Sequence, residues 1–181
     1  MPLSISEKHS IERKSNQLIA QNNIEALPIP VEEIAVNLGL DVVPYDLGNG
    51  VSGALIIENH KGFIGYNPTH PRVRQRFTIA HELGHFYMHN LQKENKLFVD
   101  KDFIIKYRSG NNYTLNELKQ EQEANAFAAA LLMPKDFIMF EIKQEKYYEL
   151  PEHKLIEKLA KTFDVSVLAM TFRLSDLQVL L

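Results

Sequence analysis

The run His81-Glu82-Leu83-Gly84-His85 is the part of the chain best suited to chemistry. On a helix, residues four apart lie one turn apart on the same face. Two imidazoles so placed converge on one metal ion at about 2.0–2.1 Å, the zinc–nitrogen distance. Glu82 follows the first His and points toward the open coordination position. There it can take a proton from a water whose pKa the metal lowers toward ~7. With 7 His in the chain, chance supplies the bare pattern roughly 0.02 times, so it is moderately specific. The plain alternative is a surface helix that carries two His. Gly84 weighs against it: glycine inside a helix costs about 1 kcal/mol relative to alanine, which is easier to understand if another element packs close.

Catalytic zinc takes three protein ligands and keeps one position open. The chain has no cysteine, so the third ligand is His, Asp or Glu. His89 continues the series, but it sits about 12 Å from His81 along a straight helix. The metzincin spacing would place a third His at position 91, which is Leu91. His89 is therefore read as a packing, supporting or substrate-facing residue. A better source is Glu121-Gln122-Glu123-Ala124-Asn125. Glu121 and Asn125 share a helix face, so one can bind metal while the other hydrogen-bonds a ligand His and fixes its tautomer. Glu123 points about 200° away from Glu121, so only one of the two is a ligand, and Glu121 is favoured. The plain alternative for this segment is a buried Ala-rich helix with a solvated acidic start. Tyr66, His70, His89 and Arg76 lie near the motif in sequence and are candidates for holding substrate or the oxyanion.

These side chains need elements to position them. Ile5, Ile11, Leu18, Ile19 and Ile24 predict a helix over 5–25. Leu27-Pro28-Ile29-Pro30 is extended. A second helix carries Val31, Ile34, Ala35 and Leu38 and stops at Gly39. A short strand at Leu40–Val43 leads to a Gly48-Asn49-Gly50 turn, then a hairpin of Val51–Ile57 and Phe63–Tyr66. That hairpin either covers the motif helix or offers a sheet edge to an extended substrate. Pro71 opens the motif helix. Residues 92–112 read as a loop with one strand at Phe103–Tyr107. Thr114 and Glu117 form a capping box for a helix over Leu115–Leu132, ended by Pro134. Helices near 135–144, 151–162 and 165–178 follow.

The 181 residues, 45% hydrophobic and 24% charged, suit a globular domain with a proper core. A net charge of -3 gives no global attraction to nucleic acid. Absence of cysteine, of an apolar leader at the start and of an apolar stretch near ~18–20 residues leads us to expect a cytoplasmic protein with no membrane contact.

The combination Arg76-Phe77-Thr78-Ile79-Ala80-His81-Glu82-Leu83-Gly84-His85 and Glu121-x-Glu123-Ala124-Asn125-x-Phe127-Ala128-Ala129-x-Leu131-Leu132-Met133-Pro134 resembles the ImmA/IrrE family of metallo-endopeptidases. So do the upstream Leu27-Pro28-Ile29-Pro30-Val31-Glu32-Glu33-Ile34-Ala35 and Leu38-Gly39-Leu40. The resemblance covers about residues 24–175. It implies one Zn2+ per chain in a gluzincin-like site, with His81, His85 and Glu121 as ligands and Glu82 as base. It also implies a protein substrate, a helix-turn-helix repressor, in mobile-element, prophage or stress-response settings. Mn2+ or another divalent ion could fill the same ligand set.

The segment 158–174 resembles a helix-turn-helix, with Ser166 capping its second helix. Arg173 is the only cation on that helix, so direct DNA binding is disfavoured. The expected fold is α+β: a zincin-like core with a small antiparallel sheet packed on the motif helix, then a mostly helical C-terminal half. We expect a peptidase domain over 1–150 and a helical extension over 151–181. The rival reading is a non-catalytic, metal-containing regulatory protein that binds a repressor or DNA through its C-terminal helices.

Overall fold

The computed structural model describes residues 2–46, 48, 51–58, 61–89, 96–101 and 114–179. Helix α1 (Ile5–Gln21) starts at a capping box in which Ser4 accepts from the Glu7 N–H and Glu7 accepts from Ser4. It ends four residues before the predicted limit. Asn22 caps it by donating its side-chain amide to the Leu18 carbonyl, and Asn23 turns left-handed at φ 53°. Helix α2 (Val31–Asn37) is stopped by Gly39 at φ 82°, a conformation glycine adopts without a Cβ penalty.

Strand β1 (Leu40–Pro44) follows, then β2 (Val51–Glu58) and β3 (Lys61–Tyr66). Helix α3 (Arg72–Met88) carries the His-Glu-x-x-His run, with Pro71 one residue outside it as N-cap. Strand β4 (Lys96–Lys101) completes a sheet of order β1-β3-β2-β4. The strand expected at Phe103–Tyr107 lies outside the described residues.

The sheet is mixed rather than antiparallel. β2 and β3 form the predicted hairpin, with Leu55 opposite Ile64, but β1 joins the far side of β3 and runs parallel to it. Side-chain alternation sets which face of a strand is buried, not which edge of a hairpin a third strand joins. The second correction concerns edges. β2 and β3 are both interior, since β4 pairs with β2, so neither offers an open edge. The hairpin covers the motif helix.

Helix α4 (Leu115–Leu132) begins at the Thr114–Glu117 capping box, as expected. Helix α5 (Lys135–Ile142), a short 3-10 turn (Glu145–Tyr147), α6 (Glu152–Phe163) and α7 (Val167–Asp176) finish the chain. Among the described residues no helix is long and apolar enough to cross a membrane.

One apolar core joins these layers. Leu18 of α1, Ile34 of α2, Leu55 of β2, Ile79 and Leu83 of α3, Phe127 and Leu131 of α4, Phe163 of α6 and Leu174 of α7 belong to it, each fully buried. Helix α3 runs through the middle. Every residue from Thr78 to Phe86 is buried, because the sheet covers one side and α4 the other. A helix buried all round gives its polar residues no water, so each needs a partner inside the protein.

Candidate metal centre

Two close approaches bring the site together. At Gly84 an added Cβ would stand 3.2 Å from both the Cα and the carbonyl oxygen of Ala124. Glycine on α3 and alanine on α4 thus let the two helix backbones nearly touch. This is the close packing that the glycine inside the motif implied. At Gly53 an added Cβ would lie 2.3 Å from Thr78 Cγ2 and 3.1 Å from Glu82 Oε1. β2 therefore presses on α3 where the Glu82 carboxylate lies. Glycine inside a strand often marks such a close backbone approach, and the sequence carries that signal at Gly53.

Across the α3–α4 contact the polar groups converge. His81 Nε2 and His85 Nε2 are 3.0 Å apart. Glu121 Oε2 is 3.6 Å from His81 Nε2, and Glu121 Oε1 is 3.4 Å from His85 Nε2. These three residues form a group whose ligand atoms all lie within 4.8 Å of one another. His81 and His85 are 3% and 2% exposed. Four tetrahedral ligands at 2.0–2.1 Å from one ion would be about 3.3–3.4 Å apart. The observed separations bracket that figure, so the residues fit a divalent ion with nitrogen and oxygen ligands.

Asn125 stands behind His81. His81 Nδ1 lies 3.1 Å from Asn125 Oδ1. An amide oxygen only accepts, so Nδ1 carries the proton and the lone pair sits on Nε2, which faces His85 and Glu121. Phe77 stacks on the His81 ring, with centroids 6.3 Å apart and planes 28° from parallel. Glu82 is fully buried.

The remaining candidates fall elsewhere. His89 caps α3, with Nε2 3.4 Å from the Gln120 carbonyl and Nδ1 3.6 Å from Glu123. Its ring lies 5.5 Å from that of His85. Burial foremost, then the neighbouring His85, hold its pKa down to about 4, so it is neutral at neutral pH. It stands outside the ligand group. Glu123 points toward His89 and Lys119, leaving Glu121 as the carboxylate of the group. Tyr66 pairs with Gly53 across the hairpin and so shares the sheet face that meets Glu82. His70 lies in the turn before α3, its N–H donating to the Asn67 carbonyl at 3.3 Å. Arg76 is turned away: its guanidinium donates to the Ile29 carbonyl at 2.9 Å and the Asp164 carbonyl at 3.2 Å. It clamps the start of α3 to the α6–α7 turn.

The C-terminal helices carry one more surprise. Arg173 is 5% exposed. It donates to the Met133 carbonyl at 2.9 Å and pairs with Glu12 of α1. It fastens α7 to α1 and α4.

Two expected outcomes follow. Asn125→Ala should weaken metal binding by about 10–100-fold while the fold stays intact, as measured by chelator competition. Gly84→Ala should gain up to about 1 kcal/mol in helix propensity, yet lose about 1–3 kcal/mol to overpacking against the Ala124 backbone. Because that contact also sets the spacing between Glu121 and the His pair, metal affinity should fall with the melting temperature. A variant with raised stability and unchanged affinity would show that the helices can part freely.

Residues 35–175 match the family described as the IrrE N-terminal-like domain, a peptidase family. No curated protein matches the chain. Among solved structures, a Mycobacterium tuberculosis transcriptional regulator is similar, with a TM-score of 0.64 at 17% identity, covering 92% of this chain and 46% of that one. The chain thus spans just under half the length of that regulator, and the likeness is one of fold.

Proposed function

The chain belongs to the IrrE N-terminal-like peptidase family, and from that premise we propose that it is a zinc-dependent endopeptidase of zincin type that cleaves a protein substrate. The observation that carries this reading is the buried His81–His85–Glu121 group, whose spacing suits one ion per chain. Zinc is preferred because two imidazoles and a carboxylate are its usual catalytic set. When bound, it would acidify a water and polarise a carbonyl.

The protein's own side chains supply the rest. Asn125 holds the His81 tautomer that leaves Nε2 available. Glu82, out of solvent and close against Gly53, takes the proton of the attacking water and returns it to the leaving amine. Tyr66, on the same sheet face as Gly53, is the best-placed of the remaining candidates to steady the oxyanion. The burial of α3 keeps bulk water from competing.

The family resemblance favours a helix-turn-helix repressor as substrate, and the transcriptional regulator among similar folds fits a regulatory setting. Burial of Arg173 leaves α7 without its one cation for DNA, so protein rather than DNA is the favoured partner of α6 and α7. The proposed organisation is a peptidase domain over 1–150 and a helical extension over 151–181, whose Phe163 and Leu174 pack into the shared core. The test is to incubate the zinc-loaded chain with candidate repressors and score fragments by mass spectrometry. A single cut that a chelator abolishes and zinc restores is expected. Intact substrate across all candidates, from protein with one zinc per chain, would move the reading to a non-catalytic binder of regulators.

A further inference from the structure

The two halves of α4 are held in place differently. From Ala124 onward the helix lies in the core, with Ala124, Phe127, Ala128 and Leu131 each fully buried. Before that point none of residues 115–123 is buried, and Leu115 is 82% exposed. Glu121 therefore stands on a turn that core packing does not anchor, just ahead of the contact of Gly84 with Ala124. A helix end with few buried apolar contacts opens easily. Yet the Glu121 carboxylate lies 3.6 Å from His81 Nε2 and 3.4 Å from His85 Nε2, and a metal ligand has to stay there.

His89 ties that turn to α3. Its Nε2 lies 3.4 Å from the Gln120 carbonyl, and its Nδ1 lies 3.6 Å from Glu123. A carbonyl only accepts, so Nε2 carries the proton and donates it. A carbonyl has two lone pairs, so Gln120 takes this bond without giving up a helical one. Gln120 and Glu123 flank Glu121 in the chain, so the ring spans the turn that carries the carboxylate. His89 is itself fixed, its N–H donating to the His85 carbonyl at 3.2 Å. One residue thus touches the backbone of one ligand and the backbone beside another. Lys119 also holds this part of α4, through Glu7, but the two side chains are 51% and 34% exposed and the pair leads to α1. Solvent leaves such a pair weak. The His89 side chain is 7% exposed, so its bond is sheltered.

We propose that His89 is a positioning residue of the metal centre: it binds no ion, and it keeps Glu121 at ligand distance by tying the Gln120 turn of α4 to the end of α3. The proposal rests on the metal-binding part of the peptidase reading and on no cleavage step.

The test uses the full chain and the metal alone. Zinc affinity is measured by chelator competition in wild type, His89→Ala, His89→Phe and His89→Gln. Ala removes ring and donor. Phe keeps a flat ring without the donor. Gln restores an N–H near the place of Nε2. Ala and Phe should each weaken zinc binding about tenfold, the low end for residues that support a ligand. Gln should recover most of that loss. At saturation each variant should still hold about one zinc per chain, because all three protein ligands remain. Co2+-loaded protein adds a readout that simple destabilisation does not move. The visible bands of Co2+ follow its ligands, so Ala and Phe should shift them and Gln should keep them at wild-type positions. Amide hydrogen exchange in His89→Ala should quicken over residues 115–123 more than elsewhere. Affinity and bands unchanged in both Ala and Phe overturn the proposal even if the melting temperature falls, since His89 would then only pack. Gln no better than Phe overturns it as well, because the hydrogen bond would not be what acts. So does zinc content as low as in His81→Ala, which would make His89 a ligand. Should the Ala variant fail to fold, Phe and Gln decide by the same measurements. Zinc bound as expected while every candidate repressor stays uncut sinks the peptidase reading and leaves the role of His89 standing. Wild type that binds no zinc sinks the metal centre, and this role with it.

Discussion

Glu82→Gln protein is expected to keep about one zinc per chain and to lose about 10²–10⁴-fold in cleavage rate. The side chain makes this a clean test. Glu82 is fully buried, and the close approach of Gly53 fixes the space around its carboxylate. Gln fills the same volume, so the α3–β2 contact survives. It cannot take a proton, so the base is lost and little else. Glu82 is not among the three residues of the ligand group, so the metal should stay. The stability change has a definite sign as well. Glu82 is 0% exposed, and a charged carboxylate costs more to bury than a neutral amide of the same shape. Removing one charge should leave the metal-free variant at least as stable as metal-free wild type in a thermal melt. Glu82→Ala opens a cavity and is the harsher companion. If either variant cuts at the wild-type rate with zinc in place, Glu82 is not the base.

Much of this centre was readable from local rules. The i, i+4 spacing put His81 and His85 on one face, and they meet at 3.0 Å. The Thr114–Glu117 capping box set the start of α4 and with it the phase of Glu121 and Asn125. Gly84 signalled a close neighbour, which proved to be Ala124. Each of these rests on residues a few positions apart, where helical geometry alone decides. What failed, or went unseen, depends on pairings distant in the chain. Alternation marked β1, β2 and β3 but not that β1 would lie parallel beyond β3. Arg173, read from the sequence as the one cation on its helix, is buried against Glu12 and the Met133 carbonyl. Arg76, adjacent to the motif, serves the α6–α7 turn instead. The packing of α7 against α1, joining the two ends of the chain through Arg173 and Glu12, is likewise invisible to local rules.

Loss of the metal itself should have the largest effect of all. His81→Ala and Glu121→Ala are each expected to bring zinc content from about one per chain to near zero by elemental analysis, and cleavage to background. Two ligands cannot hold an ion against water and chelators as three do, because catalytic zinc normally needs three protein groups. The two variants differ in what else they disturb, and that difference carries information. His81 stacks with Phe77 and bonds to Asn125. Its removal should lower stability as well as empty the site, by about 1–3 kcal/mol for leaving a buried polar group unmet. Glu121 is the more exposed of the three candidate ligands, with its side chain 15% accessible. Its removal also loses its approaches to His81 Nε2 at 3.6 Å and His85 Nε2 at 3.4 Å. The metal-free melting temperature of Glu121→Ala should therefore fall less than that of His81→Ala, whose side chain is 3% exposed, even as metal binding disappears in both. Zinc should raise the melting temperature of wild type but of neither ligand variant, since a ligand that binds only the folded state stabilises it. Zinc retained at full stoichiometry in Glu121→Ala would move the third ligand elsewhere and reopen the choice of carboxylate.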